Sequence, residues 1–241
     1  MSRVLQVADL GRRPYEPVLE LQRALCRQRQ TGARATDLLL LVEHEPVVTL
    51  GRGTRASSLP LTPADLADRG LPVVEVERGG DVTYHGPGQL VGYPVLHLAE
   101  HRPDLHWYLR QLEGVLIESL AELGVRATRE PGLTGVWTGG RKIASIGIHV
   151  KQWVTFHGFA LNVSTDLAAF ELMVPCGIPG VIMTSVAQEL GRTDEAVLWA
   201  EARAATLAAF AATFGYDRLE PLDREALEPA APLVSGAVPS P

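Results

Sequence analysis

Cysteine and lysine are the scarce residues of this chain. Each occurs twice in 241 residues, as Cys26 and Cys176 and as Lys142 and Lys151. The cysteines are far apart and no CxxC pair exists. That excludes a zinc ribbon or a disulfide-built scaffold and fits a reduced, cytoplasmic protein. Positive charge is carried by arginine, but no basic run forms. The net charge is −6 and the pI about 5.7, which excludes general nucleic-acid binding. No apolar run approaches the roughly 20 residues of a membrane span. Met1-Ser2-Arg3-Val4 lacks the basic and apolar regions of a secretory leader, so none is expected. The acidic and histidine residues show no metal-ligand spacing, so no metal is expected. No repeat or linker divides the chain.

What is present points to one domain over residues 1–227. From Glu228 the chain carries four prolines and little to bury, so 228–241 reads as a disordered tail. Val18, Leu21, Leu25 and Cys26 share one face of a helix over 14–30, with Cys26 as a small core residue. Leu38–Glu43 is a continuous apolar run that fits a strand covered on both faces, and Val47–Leu50 continues extended. Thr62-Pro63-Ala64-Asp65 opens a short helix ending at Gly70. Val73–Glu77 and Leu90–Leu98 read as strands on either side of a glycine-rich stretch. Asp104 caps a helix through Leu123, with Leu109, Leu112, Leu116 and Leu120 on one face. Val136–Val150 reads as a hairpin turning at Thr138-Gly139-Gly140, and Thr155–Val163 as the next strand. Asp166–Met173 reads as a short helix, Val174–Gly180 as a rigid loop, and Ser185 with Gln188 as the capped start of another helix. Glu195–Phe214 is an alanine-rich helix. Strands and hairpins alternating with helices predict an α/β (α+β) fold with a mixed sheet flanked by helices.

Two motif matches fail. Gly51-Arg52-Gly53-Thr54-Arg55-Ala56 fits a dinucleotide fingerprint, but Ser57-Ser58-Leu59-Pro60 follows where a helix must begin. Gly135–Lys142 nearly spells a phosphate loop, but Arg141 holds the lysine position and no Ser or Thr follows. No nucleotide cofactor is expected.

The densest signal is Arg78–Pro94, RGGDVTYHGPGQLVGYP, with five glycines and two prolines running into a strand. Glycine this dense costs chain entropy, and a fold keeps it where backbone must turn or approach something closely. Arg78, Thr83, Tyr84, His85 and Gln89 place donors and acceptors among the glycines, as a binding site would. Cys176 lies between Pro175 and Gly177. A nearby cation or helix N-terminus would make it a nucleophile, and a buried turn cysteine fits the same local pattern. Lys142 opens an apolar strand, either as a solvated strand end or as a lysine desolvated for proton transfer. His85, His149 and His157 are rival bases.

Arg78–Pro94, Arg141–His149, His157–Asn162 and Pro175–Gly180 together closely resemble the octanoyltransferases of lipoate biosynthesis, over about residues 38–190. The resemblance implies the biotin/lipoate protein ligase-like fold. It implies Cys176 as the acyl-thioester nucleophile and Lys142 as the residue that activates it and moves protons. Arg78-Gly79-Gly80-Asp81-Val82-Thr83-Tyr84-His85, Ser145-Ile146-Gly147 and Gly158-Phe159-Ala160 would line the acyl and pantetheine site. The donor would be octanoyl-acyl carrier protein. The acceptors would be lysines of lipoyl domains in 2-oxoacid dehydrogenase complexes and of the glycine cleavage H protein. Related ligases use ATP and usually lack a cysteine at this position. A thioester donor is already activated, so ATP is unnecessary and no cofactor is implied. Both protein partners would be acidic, so a basic patch of Arg78, Arg141, Lys142 and Lys151 is expected near the site. The rival readings are an ATP-dependent lipoate or biotin ligase and a non-catalytic acyl-binding module.

Overall fold

Five successive apolar side chains, Leu38 to Val42, are at most 1% exposed. They form the middle of strand β2 (Asp37–His44), and the two-residue period of a strand divides them between two cores. Leu39 and Leu41 pack with Leu112, Leu116, Leu120, Leu198 and Phe210 from helices α3 (Leu105–Glu122) and α5 (Glu195–Phe214). Leu38, Leu40 and Val42 pack with Val18, Leu25 and Cys26 from helix α1 (Tyr15–Thr31) on the other face. A computed structural model describes residues 2–227 in this way, and the tail expected over 228–241 lies outside the described residues.

The main sheet has seven strands. Their order is β10 (Arg218–Pro221), β1 (Val4–Arg13), β2, β6 (Gln89–Val95), β9 (Val154–Asn162), β8 (Arg141–Lys151) and β7 (Val136–Thr138). Strand β1 runs parallel to β10 and β2, and the remaining pairs are antiparallel. The expected mixed sheet flanked by helices is therefore present. Strands β1 and β10 were not anticipated. Strand β1 carries Asp9, Arg12 and Arg13 and a register shift between Asp9 and Arg12, which breaks the alternation that marks a strand.

A second, three-stranded sheet was also not anticipated. Its order is β4 (Val73–Glu75), β3 (Val47–Leu50) and β5 (Val82–His85). It packs Val48, Val82 and Tyr84 against Leu66 of helix α2 (Pro63–Ala67) and against Phe170, Met173 and Met183. The helix expected over Asp166–Met173 is a 3-10 segment, Leu167–Leu172. Helix α4 (Val186–Leu190) does begin at Ser185, whose hydroxyl accepts from the Gln188 N–H at 3.2 Å. The glycine-rich stretch crosses from the small sheet to the large one, and the site lies between them.

Candidate active site

The β7–β8 hairpin turns at Gly139-Gly140, both at positive φ, and places Lys142 as the second residue of β8. Its backbone is fixed from the far side. Lys142 N–H donates to the Ile182 carbonyl at 2.8 Å, and its own carbonyl accepts from Thr184 N–H at 2.9 Å. The side chain is 1% exposed. Nζ donates to the Thr134 carbonyl at 3.1 Å, lies 5.0 Å from the centre of the Trp137 ring, and stands 3.1 Å from Cys176 Sγ. A buried ammonium is costly unless compensated, and here compensation comes from a carbonyl, an aromatic face and a sulfur.

Cys176 sits in a 3-10 turn, Pro175–Gly177, with φ 57°. This left-handed conformation costs a non-glycine residue roughly 1–2 kcal/mol. Strain of this kind concentrates at functional sites. Gly177 follows, also left-handed at φ 65°, and a Cβ there would stand 2.3 Å from Asp81 Oδ2. Only glycine combines that backbone with that clearance. The turn is tied down by Val174 N–H donating to Ser58 O at 2.8 Å and by the Ser58 hydroxyl donating to Asp81 Oδ2 at 2.7 Å. Besides Lys142, Ser145 Oγ approaches Sγ at 3.7 Å. No helix N-terminus is among the hydrogen-bond partners of the thiol in the described residues, so the cation supplies its polar environment.

Both residues face a cavity of about 480 Å³, within the range of small-molecule sites. Arg78, Gly80, Asp81, Thr83, His85, Ser145, Ile146, Gly147, Gly158, Phe159 and Ala160 line it, together with Cys176 and Lys142. Gly79, Val82 and Tyr84 do not, which corrects the expectation of an unbroken lining. Strand β5 alternates, so Thr83 and His85 face the cavity while Val82 and Tyr84 enter the core of the small sheet. Gly79 is taken up by its N–H donating to Ile148 O at 2.8 Å. Also in the lining, and not expected there, are Tyr15, Arg55, Val91, Tyr93, Gly132, Leu133, Thr134, Ile178 and Pro179. Val91, Tyr93, Ile178 and Pro179 fall inside segments already marked by their sequence, whereas Tyr15, Arg55 and Gly132-Leu133-Thr134 come from separated segments with no local sign.

Arg78 is buried beneath the glycine-rich stretch. Its guanidinium donates to Thr49 O and Oγ1, both at 2.8 Å, to Asp81 O at 2.7 Å and to Gly79 O at 3.2 Å. Burial holds its pKa below the ordinary arginine value. The expected basic patch is not formed. Arg78 and Lys142 are buried, Arg141 is held bidentate by Glu189 at 3.0 and 2.8 Å, and exposed Lys151 is not part of the cavity lining. The cation at the cavity rim is exposed Arg55.

The rival bases stand apart from the thiol. His85 Nδ1 donates to Gln89 Oε1 at 2.7 Å, and burial pushes its pKa well below the usual value. His157 also lines the cavity, at φ 56°, with its pKa pushed down by burial and then by the Arg78 charge. His149 lies outside the lining and donates from Nδ1 to Glu77 O at 3.0 Å. None of the three hydrogen-bonds to Cys176 among the described residues.

Residues 14–211 match the family model of the lipoyl protein ligase A/B catalytic domain. The chain is 54% identical to the octanoyltransferase of Gloeobacter violaceus over 178 residues, covering 74% of this chain and 78% of that one. It is 48% identical to the octanoyltransferase of Geobacter sulfurreducens over 226 residues, covering 94% and 91%. The chain belongs to the octanoyltransferase family. It is an enzyme of octanoyl transfer in protein lipoylation. The octanoyltransferase fold extends to more distant proteins. A lipoate-protein ligase A bound with ATP superposes with a TM-score of 0.72 at 18% identity, covering 94% of this chain and 92% of that one. LipL1 of P. falciparum in complex with lipoate does so with a TM-score of 0.71 at 12% identity, covering 92% and 67%. Among the described residues no helix is long and apolar enough to cross a membrane.

Proposed function

We propose that this octanoyltransferase works through a Cys176 thioester, with acyl carrier protein as donor and a lipoyl-domain lysine as acceptor. The observation that carries the reading is the 3.1 Å contact between Lys142 Nζ and Cys176 Sγ at the wall of the cavity. An ammonium at that distance stabilises a thiolate, and the left-handed turn aims the sulfur at the cavity. In the first half-reaction Sγ attacks the carbonyl carbon of the octanoyl thioester. The carrier thiolate leaves and takes a proton from Lys142. One thioester replaces another at nearly equal energy, so ATP has no part. In the second half-reaction the neutral Lys142 amine accepts the proton that the acceptor's ammonium must shed. The acceptor nitrogen then attacks the enzyme thioester and loses its second proton to solvent as the amide forms, and Sγ departs as thiolate beside a restored ammonium. Amide formation from a thioester runs downhill and pulls the sequence forward. Thr83, Ser145-Ile146-Gly147 and Gly158-Phe159-Ala160 would hold the acyl chain and the pantetheine arm. The acceptors are lipoyl domains of 2-oxoacid dehydrogenase complexes and the glycine cleavage H protein, and the chemistry suits the cytoplasm.

Intact mass after incubation with octanoyl-acyl carrier protein alone tests the reading. One octanoyl adduct is expected on Cys176, removable by hydroxylamine, with buried Cys26 unmodified. An adduct that forms in Cys176→Ala, or one that requires ATP, would overturn it.

A further inference from the structure

The Thr134 carbonyl that accepts from Lys142 belongs to the same peptide group as the Gly135 N–H. That N–H donates to Oε1 of Glu113 at 3.3 Å. Glu113 sits on α3 and is 1% exposed. Its second oxygen accepts from Arg110 at 2.6 Å and from Arg129 at 2.9 Å. A carboxylate at the N–H end of a peptide and an ammonium at its C=O end polarise it in the same sense, and hydrogen bonds chained in this way strengthen one another. The lysine also lies directly against this peptide. A Cβ on Gly135 would stand 2.8 Å from Lys142 Cε and 2.7 Å from Ala144 O, at a φ of 127°. Glycine is therefore required for the lysine to reach the carbonyl.

We propose that Glu113 is a positioning residue of the reaction, acting through the Thr134–Gly135 peptide to hold Lys142 over Cys176 as the ammonium. The inference rests on the roles assigned to Cys176 and Lys142 above. A carboxylate that favours the ammonium favours the ammonium–thiolate pair over the neutral amine–thiol pair. The other groups facing the pair are the Trp137 ring, Ser145 Oγ, the buried Arg78 charge and the Asp81 carboxylate against Gly177. Glu113 itself is faced by Arg110 and Arg129. A merely structural Glu113 would pin α3 to the 129–135 loop and leave the protonation of the pair alone.

The two roles separate in the pH dependence of Cys176 alkylation by iodoacetamide, followed by intact mass. In Glu113→Gln the amide keeps an acceptor for Gly135 but loses the charge. The alkylation midpoint is expected to rise by roughly half a pH unit or more, with a several-fold slower rate at neutral pH. Arg110→Gln removes a cation from the carboxylate and leaves Arg129 in place, so its midpoint is expected to fall. An unchanged midpoint in Glu113→Gln would overturn the proposal. So would a fall, because a carboxylate felt directly by the sulfur has that sign. If Glu113→Gln fails to fold, Arg110→Gln carries the test: a fall supports the proposal, and no change or a rise overturns it. Wild-type protein in which Cys176 is alkylated no faster than Cys26 would instead remove the reading on which the inference stands.

Discussion

Two buried cations flank the cavity, and their surroundings differ in kind. Arg78, under the floor, spends its guanidinium on fixed carbonyls and one hydroxyl of Thr49, Gly79 and Asp81. Lys142, in the wall, meets one carbonyl, one aromatic face and a sulfur. The first arrangement is closed, and every partner is backbone or held by backbone. The second is open, because a thiol can gain or lose charge as the lysine does. Arginine suits the closed site because its fork matches several acceptors and it keeps its proton. Lysine suits the open one because it can give the proton up.

The comparison predicts opposite outcomes for one substitution made at both sites. Lys142→Met should lower octanoyl transfer by about 10³-fold, while unfolding free energy stays within about 1 kcal/mol of wild type, since replacing a buried charge by an apolar chain is often neutral. Arg78→Met strands the acceptors of Thr49 and Asp81 and should cost about 3 kcal/mol of stability. Urea unfolding of both variants checks this, and equal destabilisation would break the comparison. A smaller effect sharpens it on the thiol side. Gly177→Ala meets both a left-handed φ and the Asp81 carboxylate, and should cost about 2–3 kcal/mol and slow acylation. A variant with wild-type stability would show that the turn is freer than its geometry implies.

The smallest effect concerns acid. His44 accepts from Tyr93 OH at 2.7 Å through Nε2, and burial pushes its pKa down to about 4. His85 and His157 are pushed down by the same cause. The unfolded chain binds these protons near pH 6.5, and the folded chain does not. Their stabilisation is thus present above about pH 6.5 and is lost as pH falls toward the folded values. His44 alone should take about 2 kcal/mol off the unfolding free energy between pH 7 and pH 5. His44→Asn should flatten that slope. An equally steep profile in the variant would shift the cause to the other two histidines.

Much of this was legible in the sequence, for identifiable reasons. The apolar run of β2, the caps at Asp104 and Ser185 and the turn at Gly139-Gly140 are local signals and appear where expected. Cys176 and Lys142 were legible as candidates from residue type and neighbours. Their pairing followed from the family resemblance and not from local signals, because it spans two elements joined by Lys142 pairing with Ile182 and Thr184. Strand period alone could have excluded Val82 and Tyr84 from the lining. Glu113 was hidden because a lone glutamate on a helix carries no mark of burial. Its partners, Arg110, Arg129 and Gly135, gather only in the fold. The parallel pairing of β1 with β10 joins residues near opposite ends of the described chain and leaves no local trace.

The two hydrogen bonds that pin Lys142 to Ile182 and Thr184 also determine what can interrupt the enzyme. They close a short tether that begins at Cys176, so the spacing of sulfur and nitrogen depends on that tether as well as on the Val174–Ser58–Asp81 bonds that hold the turn. Opening that tether would free the cysteine turn from β8. Such sub-global openings lie far below the global unfolding free energy and recur over microseconds to seconds. An opening of that kind would make the rate measured on many molecules an average over competent and silent intervals.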